Sequence, residues 1–580
     1  MVDIILNKIS GHAKQGKVCK IHIKSGDNVK VGDKLISIES NKGSVDFKSN
    51  INGTIKDICI NEGDTLKIGD VIAKAEALGG SEEASISLDE KNENKSKSQG
   101  AFNYLGGLLK PKKEEIECDI AILGAGPGGY VAAIEAAKLG AKVVIIEKDS
   151  LGGTCLNYGC IPTKSLARSS EIFNNMKNAE AFGLEASNIN VNMKKVIDRK
   201  DSVVEELKNG IEYILGKREV RIVKGEGNFL DKNTIFVKGN NTETTIKTKN
   251  VIIATGSKAN LLPIKGNDLP GVITNKEALS LKEIPKKLLI IGGGIIGMEF
   301  AFIYAKLGSK VTVVEYFDSI LSTYDEDIIE VIEESARSYG INLYTGAKAE
   351  EIIKAEEDNL ILAFEKAGEK KFITADKILM SVGRSPVMNK EELKNIGVNL
   401  TERDRAIEVN DKMETSVEGI YAIGDVTNKI QLAHVASHQG TVAVKNIMGQ
   451  EAVMDYSVIP GATFTTPEFA TVGITEKEAK SKELDIEVGK FPFAANGKAL
   501  IYGEKEGFVK IIKEKGTDKV IGGAIVGPHA TDLIPEISLA IKNNLTVDQI
   551  VNTIHAHPTT AESIHEAALE LEGGAIHFVK

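Results

Sequence analysis

At 580 residues the chain is too long for one hydrophobic core, and length alone implies roughly three to five domains. A formal net charge of −10, with no cluster of Lys and Arg, excludes a nucleic-acid surface. The start, MVDIILNKIS, lacks the features of a secretory signal, and no window reaches the ~18 uninterrupted apolar residues of a membrane span, so a cytoplasmic protein without a membrane partner is expected.

Residues 1–78 read as a β-barrel domain built on an internal repeat. Gly16–Asp33 overlays Gly53–Asp70 at a constant offset of 37. Val18 falls on Ile55, Ile21 and Ile23 on Ile58 and Ile60, and the turns Gly26-Asp27 and Gly32-Asp33 on Gly63-Asp64 and Gly69-Asp70. Each half alternates apolar and polar residues between turns, as short strands do, and two such halves should pair about a pseudo-two-fold axis. Between them, Asn41-Lys42-Gly43 is turn chemistry that puts Lys42 at a hairpin tip. A tip lysine ordinarily only solubilises. One at the symmetry point of a repeat resembles the modified lysine of the biotinyl/lipoyl domain family, whose biotinyl members usually flank it with Met. The resemblance implies a lipoyl group on Lys42.

Residues 79–115 read as a flexible linker. The stretch GGSEEASISLDEKNENKSKSQG is polar, charged and poor in aromatics, so it cannot bury a core. A coil of ~35 residues spans roughly 30 Å.

From Glu117 onward strands alternate with helical stretches, the pattern of parallel α/β sheets. The apolar strand Ile120–Leu123 leads into Gly124-Ala125-Gly126-Pro127-Gly128-Gly129, an alanine-rich helix and a strand ending at Glu147, 18 residues past Gly129. In such a fingerprint the first glycine makes the turn, the second lets backbone approach a pyrophosphate, and the third lets helix and strand pack closely. The helix N-terminus faces the phosphates and the carboxylate takes ribose hydroxyls. The pattern recurs after Leu288–Ile291 with Gly292, Gly294 and Gly297, and Glu315 again stands 18 residues on. One glycine triplet is weak, but two in strand–turn–helix context, each with its acidic partner, point to two dinucleotides and electron transfer between them. Glu315 is followed by Tyr316 and Phe317 rather than a basic residue, which favours NAD over NADP.

The five cysteines, Cys19, Cys59, Cys118, Cys155 and Cys160, are too sparse for a disulfide framework, so the close pair needs its own explanation. It lies in GGTCLNYGCIPTK, residues 152–164. Five residues of ideal helix rise about 7.5 Å, beyond the ~7 Å Cα limit for a disulfide. A bond therefore requires a distorted helical start, which Gly153 and Gly159 allow, and a strained disulfide is the reducible, catalytic kind. The segment resembles the active-site signature of the class I pyridine nucleotide-disulfide oxidoreductases. Residues 116–580 are similar to that family end to end, nearest to its dihydrolipoamide dehydrogenase branch.

This resemblance implies a multidomain fold: the β-barrel lipoyl domain, α/β Rossmann-type domains for FAD (116–266) and NAD (267–386), a central domain completing the FAD site (387–457), and an α+β dimerisation domain (458–580). For FAD it implies Gly124, Gly126, Gly129, Glu147 and Lys164, Gly227 on the adenine side, Thr255, Gly256 and Ser257 at a strand return, and Asp425 on the ribityl chain. Gln431, Leu432, Ala433 and His434 would lie along the flavin. For NAD it implies Gly292, Gly294, Gly297, Glu299, Glu315 and Gly383. For catalysis it implies Cys155 as the interchange thiol, Cys160 facing the flavin, and Lys164 with Glu299 as an ion pair at the flavin edge. His557 would be the acid/base with Glu562 orienting it, and His555 is the lesser candidate. The implied activity is oxidation of dihydrolipoyl groups with reduction of NAD⁺, without a metal. The implied partners are a homodimer that shares active sites, and lipoyl-bearing components of a 2-oxo acid dehydrogenase or glycine-cleavage type complex. Glu315 disfavours a glutathione reductase, and the lack of any cysteine after Cys160 disfavours a mercuric reductase. The fused lipoyl domain motivates an alternative of another class, a carrier or scaffold role.

Overall fold

The computed structural model describes residues 2–6, 15–30, 32–40, 43–49, 51–67, 69–77, 111–356 and 359–579. They fall into two units, within 1–106 and 107–580.

In the first unit the repeat becomes two four-stranded antiparallel sheets. One runs Val2–Ile5, Val71–Ala77, Gly53–Ile58, Asn28–Val29; the other runs Gly43–Lys48, Lys34–Ser40, Gln15–Ile21, Thr65–Lys67. Each sheet borrows its short edge strand from the other half of the repeat, so neither half completes a sheet alone. Gly26 N–H donates to Ile55 O at 2.7 Å and Gly63 N–H to Val18 O at 2.8 Å, one bond repeated at the sequence offset. The side chains of Asp27 and Asp64 accept the N–H of Lys24 and Asn61 at 2.8 and 2.7 Å, which is why these turns use aspartate. Val18, Leu35, Ile38, Ile55 and Ile72 fill the space between the sheets. Ser40 pairs with Gly43 at the end of the central hairpin. Lys42, the expected lipoylation site, lies outside the described residues.

The expected linker is shorter at its C-terminal end than its composition implied. Its residues 78–110 lie outside the described part, but Lys112 already begins the strand Lys112–Leu123, paired in parallel with Thr242–Ile253. The charges at the start of this strand meet opposite charges, Lys113 with Glu243 of the neighbouring strand at 3.9 Å and Glu114 with Arg221, two strands away, at 3.2 Å.

Among its described residues the second unit holds two Rossmann-type sheets, a C-terminal antiparallel sheet and two smaller antiparallel ones, Ala347–Lys354/Leu360–Lys366/Glu369–Ala375 and Ser257–Ala259/Arg384–Pro386. In the first, Arg221–Lys224, Val143–Glu147, Lys112–Leu123, Thr242–Ile253 and Ile420–Ala422 run parallel, and the hairpin Glu226–Asp231/Thr234–Lys238 pairs with the start of Thr242–Ile253. Ile420–Ala422 comes from far along the chain, so the segment 387–457 completes this sheet. Ile120, Ile122, Val144, Ile145, Val251 and Ile252 are fully buried, as strands covered on both faces must be. The fingerprint helix Pro127–Lys138 buries Gly128, Gly129, Ala132, Ala133 and Ala136 and packs on the helix Ala433–Ile447.

The second parallel sheet runs Val272–Ile273, Lys377–Met380, Lys287–Ile291, Lys310–Val314, Asn342–Tyr344, with the helix Ile295–Leu307 after its fingerprint. The C-terminal sheet is antiparallel: Gly461–Thr463, Phe469–Gly473, Val520–Val526, Phe508–Glu514, Ile486–Pro492. It carries the helices Ala530–Lys542 and Glu562–Leu569. Lys510, fully buried, ties this sheet to the second Rossmann-type domain through Asp325 at 2.9 Å and Asp327 at 3.0 Å. Among the described residues no helix is long and apolar enough to cross a membrane.

Candidate active site

The two fingerprints have the same geometry. A Cβ on Gly124 would stand 2.4 Å from Ala254 O, and one on Gly129 1.9 Å from Gly124 O. In the second fingerprint a Cβ on Gly292 would stand 2.5 Å from Ser381 O, and one on Gly297 2.0 Å from Gly292 O. These first and third glycines are required by the protein's own backbone. The middle ones are not: a Cβ on Gly126 would meet nothing nearer than Gly153 Cα at 3.9 Å, and one on Gly294 nothing within 4 Å. Both middle positions therefore leave room for a pyrophosphate against bare backbone at a helix N-terminus. Each acidic partner is oriented by two N–H groups. Glu147 accepts from Ala125 at 2.8 Å and Asp149 at 2.7 Å; Glu315 accepts from Gly293 and, at 2.8 Å, from Phe317. Gly227 lies on the strand beside them, where a Cβ would stand 2.6 Å from a Leu123 methyl. The Gly126→Ala protein is thus expected to fold normally but purify with little flavin, whereas Gly129→Ala loses the fold of the turn itself. Circular dichroism and flavin absorbance per chain check this; full flavin content in Gly126→Ala would refute it.

Cys155 lies in the helix Gly153–Tyr158 and Cys160 opens the helix Cys160–Lys177. Gly159 between them has φ −139° and ψ −113°, so the helix breaks between the two sulfurs as the disulfide argument required. Both cysteines are free thiols here, hydrogen-bonded to each other. That bond, helped by the charge of Lys164 against the effect of burial, lowers the Cys160 thiol to about 7. The same bond, with burial, raises Cys155. Cys160 is therefore a thiolate above about pH 7 and a thiol below it, while Cys155 keeps its proton. The ultraviolet thiolate absorbance of the reduced protein, less that of reduced Cys160→Ser, is expected to rise with pH through a midpoint near 7. A midpoint at the ordinary value of 9.0 would overturn this.

Lys164, one turn beyond Cys160, meets both oxygens of Glu299 at 2.9 Å. The Glu299 side chain is 6% exposed and that of Lys164 30%. Phe464 completes the arrangement: its N–H donates to Glu299 at 2.9 Å, and its ring centroid lies 4.4 Å from Lys164 Nζ. Ser257 donates to Asp425, and Arg384 donates to Ser257 Oγ at 2.8 Å and Ser257 O at 2.7 Å. Thr255 Oγ1 donates to Val387 O at 2.6 Å, and Gly383 O accepts from Asn260 N–H at 3.0 Å. The strand return, the end of the second Rossmann domain and the later acidic motif thus meet at one place. Gln431, Leu432, Ala433 and His434 start the helix that packs on the first fingerprint helix, with Leu432 at its N-cap. Burial pushes His434 below its ordinary value, so it is neutral near pH 7.

His557 Nδ1 lies 2.8 Å from Glu562 Oε1, and Thr559 N–H donates to Glu562 Oε2 at 2.8 Å. Burial pushes the Glu562 carboxyl up, but Thr559 and His557 outweigh it and hold it below its ordinary value. The ring is fixed through Nδ1 and is 80% exposed. His555 is 7% exposed and engaged at both nitrogens, by Thr553 O at 2.9 Å and Glu536 at 2.8 Å, which leaves neither nitrogen open to a substrate in this structure. Among the described residues, no hydrogen bond of His557 or Glu562 reaches the two cysteine helices of the same chain. Sequence reasoning missed Phe464 as the partner of Glu299 and Gln439, fully buried, which accepts from Gly424 N–H at 2.6 Å beside Asp425. Neither carries a local motif.

The family profile described as pyridine nucleotide-disulphide oxidoreductase matches residues 118–440, its dimerisation domain matches 459–568, and the profile described as biotin-requiring enzyme, the biotin/lipoyl domain, matches 3–75. Dihydrolipoyl dehydrogenase of Bacillus subtilis is 42% identical over 473 residues, 80% of this chain and 99% of the relative. The protein of that name in Geobacillus stearothermophilus is 43% identical over 80% of this chain and 98% of its own. Among solved structures, LpdA of Mycobacterium tuberculosis is similar with a TM-score of 0.74 at 28% identity, over 79% of this chain and 99% of its own. The flavoprotein disulfide reductase RclA of Escherichia coli is similar with a TM-score of 0.70 at 28% identity, over 78% of this chain and 99% of its own. The chain belongs to the pyridine nucleotide-disulphide oxidoreductase family.

Proposed function

We propose that the chain is an NAD-dependent dihydrolipoyl dehydrogenase that carries its own lipoyl domain. The observation that carries this reading is the Cys155/Cys160 pair on either side of the helix break at Gly159, in a chain with two dinucleotide cradles. Relatives named dihydrolipoyl dehydrogenase, 42–43% identical, support the substrate. Dihydrolipoamide must lose a proton before its sulfur attacks a disulfide. His557, held by Glu562, takes that proton at Nε2. The resulting thiolate attacks Cys155, and Cys160 leaves as a thiolate. FAD, held by Gly124, Gly126, Gly129, Glu147, Ser257 and Asp425, supplies the two-electron chemistry between dithiol and nicotinamide. Lys164, anchored by Glu299, keeps positive charge beside Cys160. Glu315, oriented by two N–H groups, takes the ribose hydroxyls of NAD and repels a 2′-phosphate.

The enzyme works as a homodimer in which the His557–Glu562 pair of one subunit serves the cysteines of the other. Both residues lie at the C-terminal end of the chain, and His557 is open to solvent in its own subunit. The substrates are dihydrolipoyl groups of a 2-oxo acid dehydrogenase or glycine-cleavage type assembly, and a lipoyl group on Lys42 either feeds the site or carries groups for that assembly. The decisive experiment is NAD⁺ reduction by purified protein given dihydrolipoamide, followed at the NADH absorbance. Rapid NADH formation with NAD⁺ and little NADPH with NADP⁺ is expected. An inert protein that is yellow and dimeric would sink the substrate assignment.

A further inference from the structure

The residue between the redox cysteines has bonds that the activity does not call for. Tyr158 ends the first cysteine helix, directly before Gly159 and Cys160. Its hydroxyl donates to Asp149 Oδ2 at 3.0 Å. Asp149 in turn donates its backbone N–H to Glu147 Oε1 at 2.7 Å, and the other oxygen of Glu147 accepts from the first fingerprint at 2.8 Å. On the opposite side, Asn275 Nδ2 donates to the carbonyl of Tyr158 at 2.5 Å, and Lys276 Nζ lies 4.2 Å from its ring centroid. Asn275 and Lys276 belong to a short helix held by the Thr274–Glu277 capping box of the next domain. The loop that sets the distance between the two sulfurs is thus clamped from the ribose-binding loop of one nucleotide site and from the domain that carries the other.

We propose that Tyr158 is a positioning residue that sets the disulfide–dithiol balance of Cys155 and Cys160, through its hydroxyl bond to Asp149 and the nucleotide-binding loop behind it. This rests on reading the two cysteines as a redox couple. Reducing that couple breaks the S–S bond with two electrons and two protons where both sulfurs end as thiols, or with two electrons and one proton, on Cys155, where Cys160 ends as a thiolate. The helix break at Gly159 uncouples the helix of Cys155 from the helix that Cys160 opens, and Tyr158, the residue before the break, is held from both sides. Forming the S–S bond must draw the two sulfurs from hydrogen-bond distance to about 2 Å, and a clamp on a residue between them resists that movement, so losing it shifts the balance toward the disulfide. The carboxylate acceptor makes the bond charge-assisted, the stronger kind.

The test equilibrates the flavin-loaded full-length protein with mixtures of oxidised and reduced dithiothreitol and counts free thiols by mass after alkylation. Tyr158→Phe keeps the ring and the Lys276 contact and loses only the hydroxyl. It is expected to shift the balance roughly threefold toward the disulfide, about 15 mV for a two-electron couple. Asp149→Ala should shift it equally, Asp149→Asn, which keeps an acceptor, should restore most of it, and the Tyr158→Phe/Asp149→Ala pair should add nothing further. A merely structural tyrosine would change thermal stability and leave the balance alone. Wild-type balance in folded, flavin-loaded Tyr158→Phe overturns the proposal. A wild type that forms no Cys155–Cys160 disulfide at all overturns the redox reading beneath it, and that result is seen before any variant is made.

Discussion

Homodimers of Cys155→Ser and of His557→Gln are each expected to lose about a thousandfold or more in turnover of dihydrolipoamide, yet a heterodimer of the two should recover roughly half of the wild-type rate. Without Cys155 the substrate thiolate has no disulfide to attack. Without His557 it is not formed at the site. In the heterodimer one site combines the serine with the glutamine, and the other combines intact cysteines with an intact histidine. The expectation follows from where the parts lie. The Cys155 and Cys160 helices belong to the first Rossmann domain, whereas His557 and Glu562 sit at the C-terminal end and bond to nothing in those helices. Two affinity tags and tandem purification isolate the mixed dimer. A mixed dimer as inactive as its parents would mean that each His557 serves the cysteines of its own chain.

Replacing Lys164 by Met should have the largest effect on stability, a loss of about 3 kcal/mol. Glu299, with a side chain 6% exposed, would keep only the Phe464 N–H. The figure sits at the low end for a broken buried pair because Lys164, 30% exposed, is not wholly removed from water. The double variant Lys164→Met/Glu299→Gln should regain most of the loss, since Gln still accepts from Phe464 and leaves no unpaired charge. The urea midpoint of the three proteins reads this directly. Lys164→Met should also move the Cys160 titration above its midpoint of about 7, because a cation that favours the thiolate is gone. A single variant as stable as the double, with an unmoved titration, would show that the pair bears neither load.

Much of the candidate site was legible because its parts are local. A glycine triplet between strand and helix, an acidic residue at the end of the next strand and two cysteines around a glycine each carry their own backbone geometry, so spacing along the chain stands for spacing in space. The repeat of the first domain was equally legible, since hydrophobic alternation and Gly-Asp turns recur at one offset. Residues 112–115 were placed with the linker for the complementary reason: their strand pairs with Thr242–Ile253, far along the chain, and nothing local announces that partner. The choice between His555 and His557 rested on resemblance alone, for two residues apart in one turn the chain offers the same neighbours to both. Burial separates them, with His555 taken by Glu536 and His557 left open.

The amino-acid sequence by itself determined the two nucleotide folds, the cysteine pair and the barrel that precedes them, because the signals that specify each, a glycine turn with its acidic partner or a repeat of strands and turns, recur within about 40 positions, where periodicity and turn chemistry dictate the backbone. Only the tertiary structure decided which groups act on one another. Lys164 finds Glu299 across 135 residues, Glu299 finds Phe464 across 165, and Ser257 finds Asp425 across 168. Such pairs are set by how whole domains pack, and the charge, burial and proton affinity of each group follow from that packing rather than from its neighbours in the chain.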